Sequence, residues 1–373
     1  MLQSHRRAHA RIAAGLFAGL GLQVGAWAVL IPHLVASRDL SPAELGAALA
    51  ILAGTSIGSL AVAGPLADRI GRRPLAVAGV AGFGISFALL ATVEAQAALW
   101  PLMAFYGVVN GFLDLAANAV GSDYERAHDR RAMIRLHAGF SGAAAAGALL
   151  AGAVGPDTYW IVAAAYGALA AATTVAPLPP HEAIPSEGGN GGARLALLRV
   201  PAIAVAVGLV TLCFFGDGAI EGYAALFLRD VLESGALLTG VALAAFHTAS
   251  LTGRLVFARP ADERLVLTVA GLLAAAAMGV VVVARAPAVA AAGLLVVGFA
   301  LAPIVPTALS LAGRSAPGRS ATAVSLVTTI GYSAFVVGPP AVGALASVTS
   351  LRTALIPVVA STAAIALLAR RVR

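Results

Sequence analysis

Lysine is missing from this 373-residue sequence: all 24 basic residues are arginine. Charge of either sign is scarce, with 17 acidic residues and 11% charged residues in all, against roughly 25% in soluble domains. A surface so poor in charge does not stay dissolved, which excludes a water-soluble globular domain and points to the bilayer as solvent. One cysteine, Cys213, excludes an intramolecular disulfide and a thiolate metal cluster. It sits in an apolar run and reads as a small hydrophobe. The net charge of +7 raises the question of nucleic acid. The arginines, however, cluster between apolar runs, as topology-setting charges do, so no nucleic-acid partner is expected.

What the sequence has is hydrophobic length, with 60% hydrophobic residues and a mean hydropathy of +0.92. A helix crossing the hydrocarbon needs about 20 apolar residues. Twelve such spans are expected, over 12–36, 43–66, 74–93, 97–120, 133–154, 158–178, 200–227, 236–257, 265–284, 287–311, 321–345 and 350–369. The runs are continuous rather than alternating, which excludes a β-barrel. The apolar run after "MLQSHRRAHAR" (1–11) is too long for a leader and is expected to stay as the first span. With the N-terminus taken as cytoplasmic, all but four of the 24 arginines fall on that side; Arg38, Arg229, Arg285 and Arg352 fall opposite. This bias fits an even number of spans with both termini cytoplasmic.

The segment 177–199, "PLPPHEAIPSEGGNGGARLALLR", reads as a flexible linker. The expected organisation is an N-terminal six-helix bundle over 1–178, a cytoplasmic linker over 179–199 and a C-terminal six-helix bundle over 200–373. A weak internal repeat agrees: "GAWAVLIPHL" (25–34) and "EGYAALFLRD" (221–230) place Trp27 and Tyr223 alike, with Gly46 and Gly240 opening the following spans. The fold class is therefore an all-α membrane protein of twelve transmembrane helices in two pseudo-symmetric bundles. Doubled bundles of this kind are characteristic of transporters.

The loop after span two, "GPLADRIGRR" (64–73), resembles the signature loop of the major facilitator superfamily, and it falls where that family keeps it. Gly64, Asp68, Arg69, Gly71, Arg72 and Arg73 match, and the resemblance implies a conformational latch. In physical terms, Gly64 permits close helix approach, Asp68 can face a helix N-terminus, Arg72 or Arg73 can pair with it, and Gly71 permits the turn. The matching loop of the second half, "GRLVFARPADER" (253–264), departs from the pattern at Phe257 and Ala258, so a degraded second latch is expected there.

Inside span four, Gly107, Gly111, Asp114 and Asn118 follow i, i+4, i+7 and i+11, one stripe of a helix. A charge at mid-membrane costs roughly 2.5–3.5 kcal/mol on insertion scales, so an intramembrane carboxylate is a functional candidate. "GFLDLAANAV" (111–120) is similar to the fourth span of fucose-permease-like transporters, and other stretches resemble the rhizopine-transport-like bacterial inner-membrane branch. The resemblance implies a role for Asp114 in proton coupling and solute binding. It also implies a multi-pass protein of the bacterial cytoplasmic membrane. Ala119 stands where a Pro often follows in that family, so no kink is expected.

Other candidates for substrate or proton binding are Asp217 and Glu221, one turn apart among glycines that suggest a bent or broken helix. Gln23, Trp27, Asn118, Tyr223 and His247 complete the set; each has a competing packing role. Depth along the spans separates Asp114 from Glu221 by roughly 15 Å, so no direct carboxylate pair is expected. The sequence carries no nucleotide-binding motif, no metal-ligand spacing and no cofactor site. The leading expectation is secondary transport of a small solute, a sugar or polyol by resemblance, by a proton-coupled monomer in lipid. Efflux antiport is the alternative direction, disfavoured because 139–154 has four glycines but lacks the Gly-Pro of drug antiporters. A membrane enzyme would need a surface cluster for metal or phosphate; "DYERAHDRR" (123–131) reads instead as a charged loop. A non-transporting receptor is the remaining class.

Overall fold

The computed structural model describes residues 2–128, 132–180, 195–257, 262–316 and 319–372. The linker expected at 179–199 falls mostly outside these residues, as do Ala258 and the side chain of Asp68. The described chain is helical, and none of it forms a strand.

The helices are α1 (Leu2–Arg38), α2 (Pro42–Ile70), α3 (Arg72–Thr92), α4 (Gln96–His128), α5 (Met133–Val154) and α6 (Thr158–Val175), then α7 (Pro201–Leu226), α8 (Ala236–Val256), α9 (Glu263–Val283), α10 (Pro287–Leu301), α11 (Ile304–Arg314), α12 (Ser320–Val348), α13 (Leu351–Ala354) and α14 (Ile356–Ala369). Eleven stretches among the described residues are long and apolar enough to cross a membrane. One of them, Arg135–Val175, is 41 residues long and turns at Gly155, where φ is 62°. That left-handed residue ends α5 and lets α6 start back, so the stretch supplies two spans and the total is twelve.

The helices overrun the expected spans where polar turns continue them into water: α1 has 37 residues and α4 has 33. At 1.5 Å per residue both exceed a hydrocarbon core of about 30 Å. Two spans expected to be continuous are broken. The tenth is divided at Ala302–Pro303 between α10 and α11, and the twelfth at Leu355, just before Pro357 in the first turn of α14. Proline lacks the amide hydrogen that would continue a helix. Pro339 and Pro340, by contrast, lie within an uninterrupted α12.

Local chemistry sets several helix starts. Ser41 and Glu44 form a reciprocal capping box on α2, with the Ser41 amide donating to Glu44 Oε2 (2.8 Å) and the Glu44 amide to Ser41 Oγ (3.3 Å). Asp262 accepts from the Leu265 amide (3.1 Å) to cap α9.

The chain forms two compact units: residues 1–40 with 48–184, and residues 41–47 with 185–373. In the first unit α1 packs on α4, α5 and α6, and α3 packs on α4 and α6. In the second, α7 packs on α11, α12 and α14, and α9 on α10 and α14. Numbered by span, pairings 1–4, 1–5, 1–6, 3–4 and 3–6 recur as 7–10, 7–11, 7–12, 9–10 and 9–12. The second half therefore repeats the packing plan of the first. Glycines let the backbones touch: a side chain at Gly25 would overlap the Ala144 carbonyl of α5, and one at Gly147 the Leu22 carbonyl of α1. Such close approach supplies packing where lipid offers no hydrophobic drive between helices. Large apolar side chains such as Val62, Trp160 and Val283 stand exposed on the outside, as a lipid-facing surface requires.

Candidate functional site

The small residues of α4 bring it against α2. A side chain at Gly107 would overlap the Leu52 carbonyl and Thr55 hydroxyl; one at Gly111 would meet Ser59 and the Ser56 carbonyl. Asn110 Nδ2 donates to Ser56 Oγ at 2.8 Å, tying the seam with a polar contact. One turn further on, Asp114 and Asn118 are half-buried. Asn118 Nδ2 donates to the Asp114 carbonyl and to Asp114 Oδ1, both at 2.9 Å. α4 is unbroken through this region.

Gln23 and Trp27 on α1 belong to the interior of the first unit. The Tyr106 hydroxyl donates to Gln23 Oε1 at 2.5 Å, and the Trp27 ring lies 5.3 Å from that of Tyr106. Phe83 packs edge-on to Tyr106 at 5.0 Å, and the Tyr166 hydroxyl donates to the Gly19 carbonyl (2.6 Å). Gln23 and Trp27 thus take part in an aromatic core held by α1, α3, α4 and α6.

In the second unit Asp217 and Glu221 are half-buried on α7. Cys213 Sγ lies 3.9 Å from Asp217 Oδ2, and Arg254 of α8 is within electrostatic range of Asp217, Glu221 and the buried His247. The His247 ring meets Phe246 edge-on at 5.3 Å. The break expected around Asp217 and Glu221 is absent: α7 is continuous to Leu226, and the irregularity comes later, as a π-helical turn over Phe227–Val231. Gly218 serves packing instead: a side chain there would sit 2.9 Å from the Phe335 ring.

Tyr223, fully buried, joins elements far apart in sequence. Its hydroxyl lies 3.1 Å from the Pro42 carbonyl and 3.0 Å from the Pro339 carbonyl. Gly46 and Gly343 make room: a side chain at Gly46 would stand 2.9 Å from the Pro339 carbonyl, and one at Gly343 would strike the Pro42 carbonyl. The first turn of α2 is thereby fastened to α7 and α12 within the second unit.

At the loop after span two, Gly71 turns the chain with φ 84°. Gly64, expected at a close helix contact, has no atom within 4 Å of where a side chain would stand. Arg69 is exposed. Arg72 forms an ion pair with Asp123, buried near the end of α4, which also pairs with Arg126. Arg73 donates from Nη1 to the carbonyls of Thr173 (2.8 Å) and Thr174 (2.7 Å), capping α6. Glu125 accepts from the amides of Ala132 and Met133 (2.8 Å for the latter) at the start of α5. The cluster read as a plain charged loop is thus a structural node, and the presence of acids beside arginines in "DYERAHDRR" was its only sign.

The second half keeps an ion pair at the matching place, with Glu263 opening α9 and Arg314 closing α11 through two contacts of 2.7 Å. In the first half the cation opens the third span and the anion closes the fourth; in the second half the signs are exchanged. The departing sequence at Phe257 concealed this. Two arginines of the opposite set also have structural work that sequence reasoning missed. Arg38, buried, donates to the carbonyls of Leu90 (3.0 Å) and Val93 at the end of α3. Arg352 donates to Val282 near the end of α9 and lies over the Phe227 ring at 5.2 Å.

Twelve spans in two repeated halves, with ionisable groups inside the spans, define a membrane transporter. The chain belongs to the Major Facilitator Superfamily, whose family model matches residues 12–339. It is similar to the membrane protein MosC of Rhizobium meliloti, at 27% identity over 346 residues covering 91% of this chain and 84% of MosC. It is also similar to an uncharacterized MFS-type transporter of Yersinia pestis, at 27% identity over 352 residues covering 91% and 89% of the two chains. Among solved structures, a mutant of the nucleoside transporter NupG shares the fold with a TM-score of 0.83 at 12% identity, covering 98% of this chain and 100% of that one. A bacterial homologue of the lysosomal transporter Spinster, inward-facing and occupied, gives 0.72 at 17% identity, covering 99% and 96%.

Proposed function

We propose that this transporter moves a small polar solute, a sugar or polyol, by alternating access coupled to protons. It would act as a monomer in the bacterial cytoplasmic membrane with both termini in the cytoplasm. The observation that carries the reading is Asp114: a carboxylate midway along an apolar span, half-buried, whose described partner is Asn118 alone. A group so placed can take up and release a proton while touching solute. Asp217 and Glu221, within electrostatic range of Arg254, and His247 are the second set of groups for solute or proton. Gln23 and Trp27, packed on Tyr106, are further candidates for solute contact; Tyr223 sets the start of α2, and the loop from Gly64 through Asp68 and Arg69 to Arg73 serves as the conformational latch. The arginine bias supports the orientation.

The test is solute flux in reconstituted vesicles with and without an uncoupler. A coupled carrier accumulates solute against its gradient and loses accumulation when the proton gradient collapses. The Asp114→Asn variant is expected to abolish accumulation and retain exchange of solute for solute. Unaltered accumulation in that variant would remove Asp114 from the mechanism.

A further inference from the structure

Four arginines fall at the ends of the spans that are otherwise poor in cations: Arg38, Arg229, Arg285 and Arg352. Three of them have protein partners. Arg38 donates to the carbonyls of Leu90 and Val93, Arg229 is within electrostatic range of Asp230, and Arg352 donates to the Val282 carbonyl and lies over the Phe227 ring. Arg285, in the turn between α9 and α10, is exposed and makes no hydrogen bond or ion pair among the described residues. With Arg352, Thr353, Val282, Val283 and Ile356 it lines a recess of about 430 Å³, at the end of α9 opposite Glu263. The lining holds two guanidinium groups and no acid. Arg352 is fixed there by one N–H on Val282, and its other N–H groups have no acceptor among the described residues.

Two cations that share a recess without a counter-charge attract an anion. A phosphate suits them, since a guanidinium fork meets two of its oxygens at once. The walls of the recess indicate what carries the phosphate. Val283 is 71% exposed and Ile356 51% exposed, both apolar and both at its edge. From there Val280, Leu272 and Val269 continue the exposed face of α9 below Val283 at helical spacing. Leu367 continues the face of α14 below Ile356, and α14 packs on α9. A free phosphate gains nothing from this apolar strip, whereas the acyl chains of a phospholipid lie along it. Basic pockets between spans hold acidic headgroups in this way. We infer that the recess binds the headgroup of an anionic phospholipid, its phosphate between Arg285 and Arg352 and its chains on the exposed faces of α9 and α14. The site is separate from the solute and proton groups, and the inference does not depend on them.

The test uses the full-length protein in vesicles, with a bimane fluorophore on Val280→Cys; native Cys213 is buried and stays unlabelled. Lipids with brominated chains quench the fluorophore when they occupy this strip. Brominated phosphatidylglycerol is expected to quench at about five- to thirtyfold lower mole fraction than brominated phosphatidylcholine with the same chains, from roughly 1 kcal/mol for each arginine near an anionic group. Arg285→Gln should reduce that preference about fivefold, and Arg229→Gln, at an exposed arginine outside the recess, should leave it unchanged. Should Arg285→Gln not fold, Val283→Glu sets an acid at the recess and should abolish the preference. Inorganic phosphate should not relieve the quenching. Equal quenching by the two lipids, an intact preference in the recess variant, or an equal loss in Arg229→Gln overturns the inference. Relief by inorganic phosphate also overturns it, since the recess would then hold a free anion.

Discussion

The Tyr223 contact gives a prediction whose size can be worked from the structure. One phenolic hydrogen is shared between the carbonyls of Pro42 and Pro339, at 3.1 and 3.0 Å, in a fully buried seam. Tyr223→Phe keeps the ring and removes that bond. Both carbonyls belong to helices and retain a second lone pair's worth of bonding within them, so the loss is one net hydrogen bond, about 1 kcal/mol. With tenfold per 1.4 kcal/mol, the population in which the first turn of α2 has come away rises about fivefold. Leu45 sits in that turn and is 0% exposed, so Leu45→Cys reports the opening by its reaction with a water-soluble maleimide. Native Cys213, 1% exposed in the middle of α7, reports global unfolding in the same molecule. The expected result is about fivefold faster labelling at position 45 with no change at Cys213. Gly46→Ala, which pushes a methyl into the Pro339 carbonyl, should do at least as much, about five- to 140-fold for an overpacking cost of about 1–3 kcal/mol. Equal labelling rates in Tyr223→Phe and its parent would refute the assignment.

The two ion pairs should respond unequally to the loss of one partner. Arg72→Ala removes one of the two arginines on the buried Asp123 and leaves Arg126, so it is expected to cost about 1.5–3 kcal/mol in thermal unfolding measured in detergent. Glu263→Gln breaks a pair whose arginine is 55% exposed, and should cost less than about 1 kcal/mol in the same measurement. Gly107→Val drives a branched side chain into the Leu52 carbonyl and should lower the unfolding temperature, while Ala104→Val on a half-exposed position of the same helix should leave it nearly unchanged. A matched drop in both would mean that the α2–α4 seam is not the tight contact described.

Much of the fold was legible because the bilayer demands long apolar runs and little else. The twelve spans and the doubled plan follow from run length and arginine placement. The helix ends were less legible, since helices such as α1 continue past the hydrocarbon on polar residues that hydropathy cannot distinguish from loop. The i, i+4 relation of Asp114 and Asn118 could be read directly, because one helix contains both. Partners from different helices could not be read that way. Trp27 and Tyr223 share a place in the repeat, yet one packs at a tilt against Tyr106 and the other holds the start of α2. Asp123 looked like a loop charge because its partner Arg72 lies 51 positions earlier and meets it only through the packing of α3 on α4. The glycines around Asp217 suggested a broken helix, while the helix runs on and Gly218 admits the Phe335 ring.

The exchanged signs of the Arg72–Asp123 and Glu263–Arg314 contacts carry a consequence for how the gene can vary. The attraction between the two groups is the same in either direction, although only the second half's arrangement, with the anion opening a helix and the cation closing one, also suits the helix dipoles; reversal of both ends keeps the bridge, whereas either half-step strands a charge. Two repeated halves can therefore keep the strut while its spelling changes, which is why the second-half loop departs from the motif at Phe257 although an ion pair still joins the matching helix ends.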